Sequence, residues 1–250
     1  MSRESLIIPI GMLFLAVLSG CSGAKIKEKS SDREVFQAAE SLIADEEYID
    51  AITILKEMIN DHASSPLLEN AYFEIGRAYY LDEQNVEAEV ALDDFTRLYP
   101  DSKLMPAALL LKGRNLERDR EKAGRDQSNT EGAIALYTQI VEKHEGSPEA
   151  KKAILRIKEL KNDLARHEVL IARFYIKLKK LPSAEKRLKV AFEKYSDTKT
   201  APEIVNLLAE TYLSENKSEE ARKLLEFMEN YYPDREETAN LREEIEGDTQ

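Results

Sequence analysis

The sequence predicts an all-α fold, a right-handed superhelix of five stacked helix pairs, which is an α-solenoid. Three observations predict it. Good helix formers such as Ala, Leu, Glu and Lys recur through a chain of 250 residues in which 34% are charged. Apolar residues return at helical spacing from residue 32 onward. One short pattern of small, aliphatic and aromatic residues then occurs five times along the chain.

The clearest unit of this repeat covers residues 70–100. Its defining positions are Tyr72, Ile75, Gly76, Tyr79, Ala88, Leu92, Phe95 and Pro100. This spacing is the tetratricopeptide pattern. Small residues let two antiparallel helices approach closely, and a proline ends the second helix. The same frame returns around four further alanines of second helices, Ala51, Ala133, Ala184 and Ala221.

The repeats fall into two groups joined by a long helix. Repeats 1–3 occupy residues 32–147, and repeats 4 and 5, with the long helix, occupy 148–234. The stretch 148–180 has no helix breaker, which predicts a rod of nearly 50 Å (at about 1.5 Å per residue). Extra polar residues within 118–132 predict an exposed loop in the third repeat. The acidic tail, 235–250, has the composition of a helix that frays.

The first 20 residues have the pattern of an export signal. An apolar run at 6–18 follows a weak basic flank, and it is too short for the roughly 20 residues of a membrane span. Ser19 and Gly20 separate this run from Cys21, and because Cys21 is the one cysteine of the chain, an internal disulfide is excluded. The alternative to a specialised signal is an ordinary one with a chance cysteine.

The residues around Cys21 favour the specialised signal. Leu18-Ser19-Gly20-Cys21 resembles the bacterial lipobox, in which the cysteine is acylated and becomes the first mature residue. Several acyl chains hold a protein on a bilayer, whereas one gives only marginal anchoring. By resemblance to sorting signals, Ser22 favours the outer membrane. Residues 21–31 then form a flexible tether on the periplasmic face.

Charge is divided unevenly along the chain. The formal net charge of −12 makes general nucleic-acid binding a poor interpretation. Residues 150–194 nevertheless hold 14 Lys or Arg against five Asp or Glu, a net charge of +9. Two interpretations stay open: a solvated amphipathic helix face, or a docking surface for an acidic partner or anionic head groups.

The sequence does not predict an enzyme. Its three histidines, His62, His144 and His167, are scattered and lack the spacing of a zinc helix. Neither a glycine-rich phosphate loop nor a nucleophile elbow is present. We therefore expect no metal and no cofactor beyond the covalent lipid on Cys21.

The order of these features resembles the BamD family, lipoproteins of the machinery that folds β-barrel proteins into the outer membrane of Gram-negative bacteria. The resemblance rests on the lipobox, the five repeats, the long turn with Arg125-Asp126-Gln127-Ser128 and the long helix through 161–168. It implies docking of the C-terminal repeats on a POTRA domain of the barrel subunit BamA, with Arg187 matching an arginine at that contact. It also implies contacts with other Bam lipoproteins.

The family further implies that the N-terminal repeats recognise C-terminal peptides of unfolded barrel substrates. In tetratricopeptide folds the first helices line the concave face, which places a candidate groove at Phe36, Ile43, Phe73, Arg77, Tyr80, Leu110 and Arg114. Aromatic rings offer contact area, and arginine holds a carboxylate by paired hydrogen bonds. The alternative is that the aromatic residues merely pack between neighbouring helices. A further alternative for the whole chain is an adaptor for other envelope or secretion machinery.

Overall fold

The computed structural model describes residues 30–118 and 126–247, and within them the chain is entirely helical apart from turns. The helices are α1 Asp32–Ala44, α2 Tyr48–Asp61, α3 Leu68–Leu81, α4 Asn85–Leu98, α5 Met105–Arg118, α6 Ser128–Lys143, α7 Pro148–Lys177, α8 Leu181–Tyr195, α9 Ala201–Ser214, α10 Ser218–Tyr231 and α11 Glu236–Gly247. Each packs mainly on the helices before and after it in the chain. The predicted all-α solenoid is confirmed.

Five antiparallel pairs form around close helix crossings. The five alanines of the sequence frame lie on α2, α4, α6, α8 and α10 and are fully buried: Ala51, Ala88, Ala133, Ala184 and Ala221. Gly76 of α3 faces α4, the helix that carries Ala88. A Cβ atom added at Gly76 would lie 2.7 Å from the Cδ2 atom of Leu92 on α4. Gly113 of α5 lies equally close to the ring of Tyr137 on α6. Larger residues would therefore force the pairs apart.

Four of the pairs are joined by the same three-residue turn. Its middle residue has a positive φ in each case: 64° at Glu46, 60° at Glu83, 56° at Lys179 and 60° at Asn216. Three of these are not residues that favour the left-handed region, and all four side chains are exposed. The turn is therefore imposed by packing of the two helices and not by glycine.

The connection of the third pair lies mostly outside the described residues. Helix α5 is described as far as Arg118 and α6 begins at Ser128, so helix replaces the last part of the loop predicted for 118–132. The Asp126 carboxylate accepts a hydrogen bond from the Ser128 backbone N–H at 3.0 Å, next to the start of α6. Residues 119–125, including Arg125, lie outside the described residues.

Helix α7 joins the two groups of repeats. It has 30 residues, about 45 Å, and ends three residues earlier than the predicted 148–180. Ser147 caps it by accepting a hydrogen bond from the Ala150 N–H at 3.0 Å. Leu160 packs in the core of the third repeat, whereas Val169 packs in the C-terminal core. One helix therefore belongs to both cores.

The acidic tail differs from the expected fraying helix. Helix α11 buries Thr238, Leu241 and Ile245 against α9 and α10. The Thr238 hydroxyl donates to the Tyr232 carbonyl at 2.7 Å, and Arg242 pairs with Glu229 at 2.8 Å. These three residues on one face hold α11 against its neighbours, although the segment as a whole is acidic. Helix α11 therefore packs on the fifth helix pair, α9 and α10.

Replacing Glu83 by glycine tests the imposed turn. We expect Glu83→Gly to raise the free energy of unfolding by about 0.5–1 kcal/mol, because glycine adopts a positive φ without a Cβ clash. Urea denaturation measures the change. Asn216→Gly is the control, since asparagine already tolerates this region, and its gain should be smaller. A lower stability of Glu83→Gly would contradict the account.

Candidate functional site

The predicted lipidation site, Cys21, and the signal at 1–20 lie outside the described residues. The described residues begin at Ser30, just before α1. Ser31 and Glu34 form a capping box there: the Ser31 hydroxyl accepts from the Glu34 N–H at 3.3 Å, and the Glu34 carboxylate accepts from the Ser31 N–H at 2.8 Å. The predicted tether therefore meets the solenoid at a fixed helix start.

The apolar lining predicted for the concave groove is buried instead. Phe36, Phe73 and Leu110 are only 8%, 8% and 6% exposed. Each packs in an interior cluster, and the Phe73 ring meets the edge of Phe95 at 5.6 Å between centroids. Helices packed on these side chains cover them, which favours the alternative that they pack between neighbouring helices. Ile43 is buried in the same way.

The polar members of the predicted groove remain at the surface. Arg77 is half-buried and pairs with Glu74 through its Nε atom at 2.6 Å. Burial raises the pKa of the Glu74 carboxyl, and the charge of Arg77 and its hydrogen bond only partly offset this. Arg114 is exposed one turn before Arg118 on α5.

Arg118 is a member of this group that the sequence analysis missed. Its guanidinium lies 3.7 Å from the centre of the Tyr80 ring and donates a hydrogen bond to the Tyr80 carbonyl. Arg77 and Tyr80 are one turn apart on α3, as Arg114 and Arg118 are on α5. The spacing of Arg114 and Arg118 was a signal in the sequence. Together, Arg77, Tyr80, Arg114 and Arg118 form what we call the arginine cluster.

Arg187 lies on a second surface, between α7 and α8. Its Nη1 atom is 2.5 Å from the Glu168 carboxylate, and its side chain stays 32% exposed. Arg187 and Glu168 line a groove of about 460 Å³ together with Tyr175, Lys186 and Val190. Arg187 is thus accessible, although Glu168 already holds one side of its guanidinium.

An exposed apolar stripe runs along α7, the helix that contributes Glu168 and Tyr175 to this groove. Leu170, Phe174 and Leu178 follow one another at four-residue intervals on α7 and are 48%, 58% and 47% exposed. The Phe174 ring lies 6.3 Å from the ring of Tyr175, which lines the groove. Exposed aromatic side chains and arginine are the residue types enriched among interface anchors. We call Arg187 and this stripe the α7–α8 surface.

A carboxylate bridge fixes α8 against α10. Glu185 accepts hydrogen bonds from Lys189 at 2.6 Å and from Lys217, at the start of α10, at 2.9 Å. Both ammonium groups also lie 5.4–5.6 Å from the centre of the Tyr212 ring on α9. The bonds from Lys189 and then Lys217 lower the pKa of Glu185 to about 2. This bridge holds in place the helix that carries Arg187.

The described ranges contain neither a cluster of metal-ligating side chains nor a helix suited to span a membrane. In residues 30–118 and 126–247 no group of three or more His, Cys, Asp or Glu side chains is placed to hold a metal ion. The helices of the same ranges include none with the length and apolar character needed to cross a bilayer.

Antiparallel pairs crossing at buried alanines, with exposed arginine-bearing surfaces, define a helical-repeat protein of the tetratricopeptide type. The chain belongs to the YfiO family of outer membrane lipoproteins, whose model matches residues 28–216, about three quarters of its length. The resemblance to the BamD family is confirmed.

Curated relatives support the same assignment. The chain is 26% identical over 222 residues to the outer membrane protein assembly factor BamD of Pasteurella multocida, covering 85% of each chain. It is 27% identical over 217 residues to BamD of Caulobacter vibrioides, covering 85% of this chain and 71% of that one.

Solved structures show a more distant likeness. The TPR2AB domain of yeast Sti1 aligns over 87% of this chain and 84% of its own, with 13% identity and a TM-score of 0.49. A thermophilic TPR protein of Thermus thermophilus aligns over 87% of this chain and 98% of its own, with 18% identity and a TM-score of 0.36. Because both TM-scores are below 0.5, the evidence for a solenoid is the stacked helix pairs of this chain itself.

The Glu185 bridge predicts a pH dependence of stability. Because the folded pKa of about 2 lies below the value of about 4.3 for an unfolded glutamate, the bridge stabilises the fold above pH 4.3. That contribution is lost as the pH falls from about 4.3 towards 2. The difference in unfolding free energy between wild type and Glu185→Gln should therefore shrink over this range in urea titrations.

Glu193→Gln is the matched control for this pH test. It removes one carboxylate from the same helix at an exposed position. Its unfolding free energy should stay close to that of wild type throughout. A wild-type advantage over Glu185→Gln that stays constant from pH 7 to pH 3 would exclude the bridge as its cause.

Proposed function

We propose that this protein is an outer-membrane protein assembly factor, a scaffold anchored through acylated Cys21 after removal of residues 1–20. It helps to insert and fold β-barrel proteins and catalyses no reaction itself. The observation that carries the proposal is the family match over residues 28–216, which spans both surfaces described above. The BamD relatives, titled as assembly factors, match this chain over most of their own length.

The α7–α8 surface docks on the central barrel subunit, BamA, through a POTRA domain. Arg187 supplies a charge-assisted hydrogen bond to an acidic group of that domain, while Leu170, Phe174 and Leu178 supply apolar contact. The surrounding basic segment, 150–194, attracts the acidic surface over a longer distance. Other Bam lipoproteins complete the complex.

The arginine cluster captures the C-terminal peptide of an unfolded barrel protein. With Phe36, Phe73 and Leu110 buried, binding depends on the guanidinium groups. Arg114 and Arg118 hold the terminal carboxylate by paired hydrogen bonds, and a terminal aromatic ring stacks on a guanidinium plane. An internal peptide without a free carboxylate lacks the first of these contacts.

Affinity capture from detergent-solubilised outer membranes tests the docking. Wild type should retain a POTRA-bearing barrel protein, and Arg187→Glu should lose most of it, because the new charge repels the acidic contact. Arg166→Glu is the matched control: it reverses another exposed charge of α7, outside the groove that Arg187 lines, and should retain the partner. Failure of wild type to retain any such protein would favour an adaptor for other envelope machinery.

A charge swap separates docking from local folding. Arg187→Glu combined with Glu168→Arg restores the ion pair between α7 and α8 but not the arginine at the surface position. We expect the swapped protein to be as stable as wild type and still deficient in capture. Full recovery of capture would show that Arg187 acts only by holding α8 on α7.

Fluorescence anisotropy tests the peptide site. The probe is a labelled peptide of about ten residues ending in phenylalanine, compared as free acid and as C-terminal amide. Wild type should prefer the acid by about tenfold, the worth of one charge-assisted hydrogen bond. Arg114→Ala with Arg118→Ala should abolish the preference, and so should Arg77→Ala with Arg114→Ala. Arg97→Ala, an exposed arginine on α4, should keep it; an acid preference unaffected by both double variants would refute the site.

A further inference from the structure

A groove of about 510 Å³ lies between α2 and α4, on a different face of α3 from the arginine cluster. Ile59 of α2 forms one wall, and Val86 and Val90 of α4 form the other. The floor is α3, with Ile75 between the rings of Tyr72 and Tyr79. The lining is apolar on three sides, which sets this groove apart from the charged surface around it.

The apolar wall residues of α4 face solvent. Val86 is 70% exposed and Val90 is 59% exposed, and they lie one turn apart on the same face. Single exposed aliphatic residues are ordinary on protein surfaces. Two of them beside Ile59 and two tyrosine rings form a continuous apolar surface that the apolar side chains of a ligand can cover.

Packing of the repeats does not require this groove to be apolar. The following groove, between α4 and α6, shows the difference at its floor. Gly76 and Gly113 hold the same repeat position, so Ile75 corresponds to Lys112. The Lys112 ammonium pairs with Asp93 of α4 and places an ion pair where the first groove has an isoleucine. Ile75 is buried in the core of the first repeats, whereas Val86 and Val90 are exposed, so core packing does not account for the apolar wall that α4 contributes.

The charge around the groove defines what can enter it. Residues 31–100 contain 17 Asp or Glu and four Lys or Arg, a net charge of −13. Glu87 and Asp94 lie on the rim. Lys56 is the one basic residue of the lining, and its ammonium donates to the Tyr79 hydroxyl at 2.7 Å. An acidic ligand is repelled here, whereas lysine or arginine beside an apolar group is attracted.

The backbone of the groove favours a helical occupant. Its walls and floor are helices, whose interior N–H and C=O groups already bond within each helix. An extended peptide would leave its own backbone groups unpaired against these walls. An amphipathic helix satisfies its backbone internally and presents apolar side chains at three- and four-residue intervals, the spacing of Val86 and Val90.

We infer that the α2–α4 groove binds an amphipathic helix of a partner protein, with an aliphatic face against Ile59, Val86 and Val90 and with Lys or Arg flanking that face. This site is separate from both surfaces of the proposed function. It belongs to the N-terminal repeats, and the partner remains bound while the α7–α8 surface is occupied.

A labelled model peptide tests the inference by anisotropy on the full chain. The probe is an amphipathic peptide of about 14 residues, four helical turns, with Leu on one face and Lys on the other. Val86→Asp with Val90→Asp gives opposite results for the two modes of binding. If charge alone binds the peptide, two more carboxylates tighten binding; if the groove seats the leucines, affinity falls by about tenfold or more. We expect the fall.

Three controls keep the outcome specific. Leu155→Asp introduces a carboxylate at a 62% exposed position of α7 and should leave the affinity unchanged. A peptide of the same composition with leucines spread around the helix should bind weakly to all variants. Because both valines are largely exposed, circular dichroism and thermal unfolding of the double variant should match wild type.

Two results would overturn the inference. The first is equal or tighter binding by Val86→Asp with Val90→Asp, which would reduce the interaction to charge. The second is failure of the peptide to bind while light scattering shows self-association that the same substitutions abolish. The groove would then be the contact between two copies of this chain.

Discussion

The close crossing of the two helices in each pair is the constraint on which the rest of the structure depends. All five frame alanines are fully buried, and glycine opposes the second helix in repeats 2 and 3. A crossing this close lets each pair present two helices as one layer, so that successive layers bury a continuous core. The four turns with a positive φ are a consequence, because the crossing sets the distance that each turn must bridge. The exposed grooves likewise take their width from it.

Helix α7 converts these repeats into one scaffold. Its first half is fixed to α5 by Arg156, whose guanidinium pairs with Glu117, while Tyr137 of α6 donates to the same carboxylate at 2.5 Å. Burial raises the pKa of Tyr137, and the bond to Glu117 raises it further, so the phenol stays protonated as a donor. The second half of α7 carries Phe174 and contacts Arg187 through Glu168. The arginine cluster and the α7–α8 surface are therefore set relative to each other by one continuous rod.

The sequence predicted the parts that depend on local spacing. The alanine frame located the five pairs, and the unbroken pattern at 148–180 located α7, because helical periodicity and breakers are properties of neighbouring residues. Burial of Phe36 and Phe73 depends on helices further along the solenoid and was not predictable from their own helix faces. The exposure of Phe174 was likewise not predictable, because it depends on whether another helix covers that face of α7. The four turns with a positive φ were not predictable, because helix packing imposes them and no glycine in the sequence signals them.

Under the proposed function, the distribution of charge gives the two ends of the scaffold different modes of recognition. The arginine cluster adjoins a region of net charge −13, whose field opposes the approach of a carboxylate. Screening removes that opposition beyond about 8 Å at physiological ionic strength, and at contact the paired hydrogen bonds of arginine exceed it. Recognition there is short-range and geometric. The segment 150–194, with a net charge of +9, instead attracts an acidic surface before contact and orients it towards Arg187. Under the proposed function, a single chain thus separates selective capture at one end from steered docking at the other.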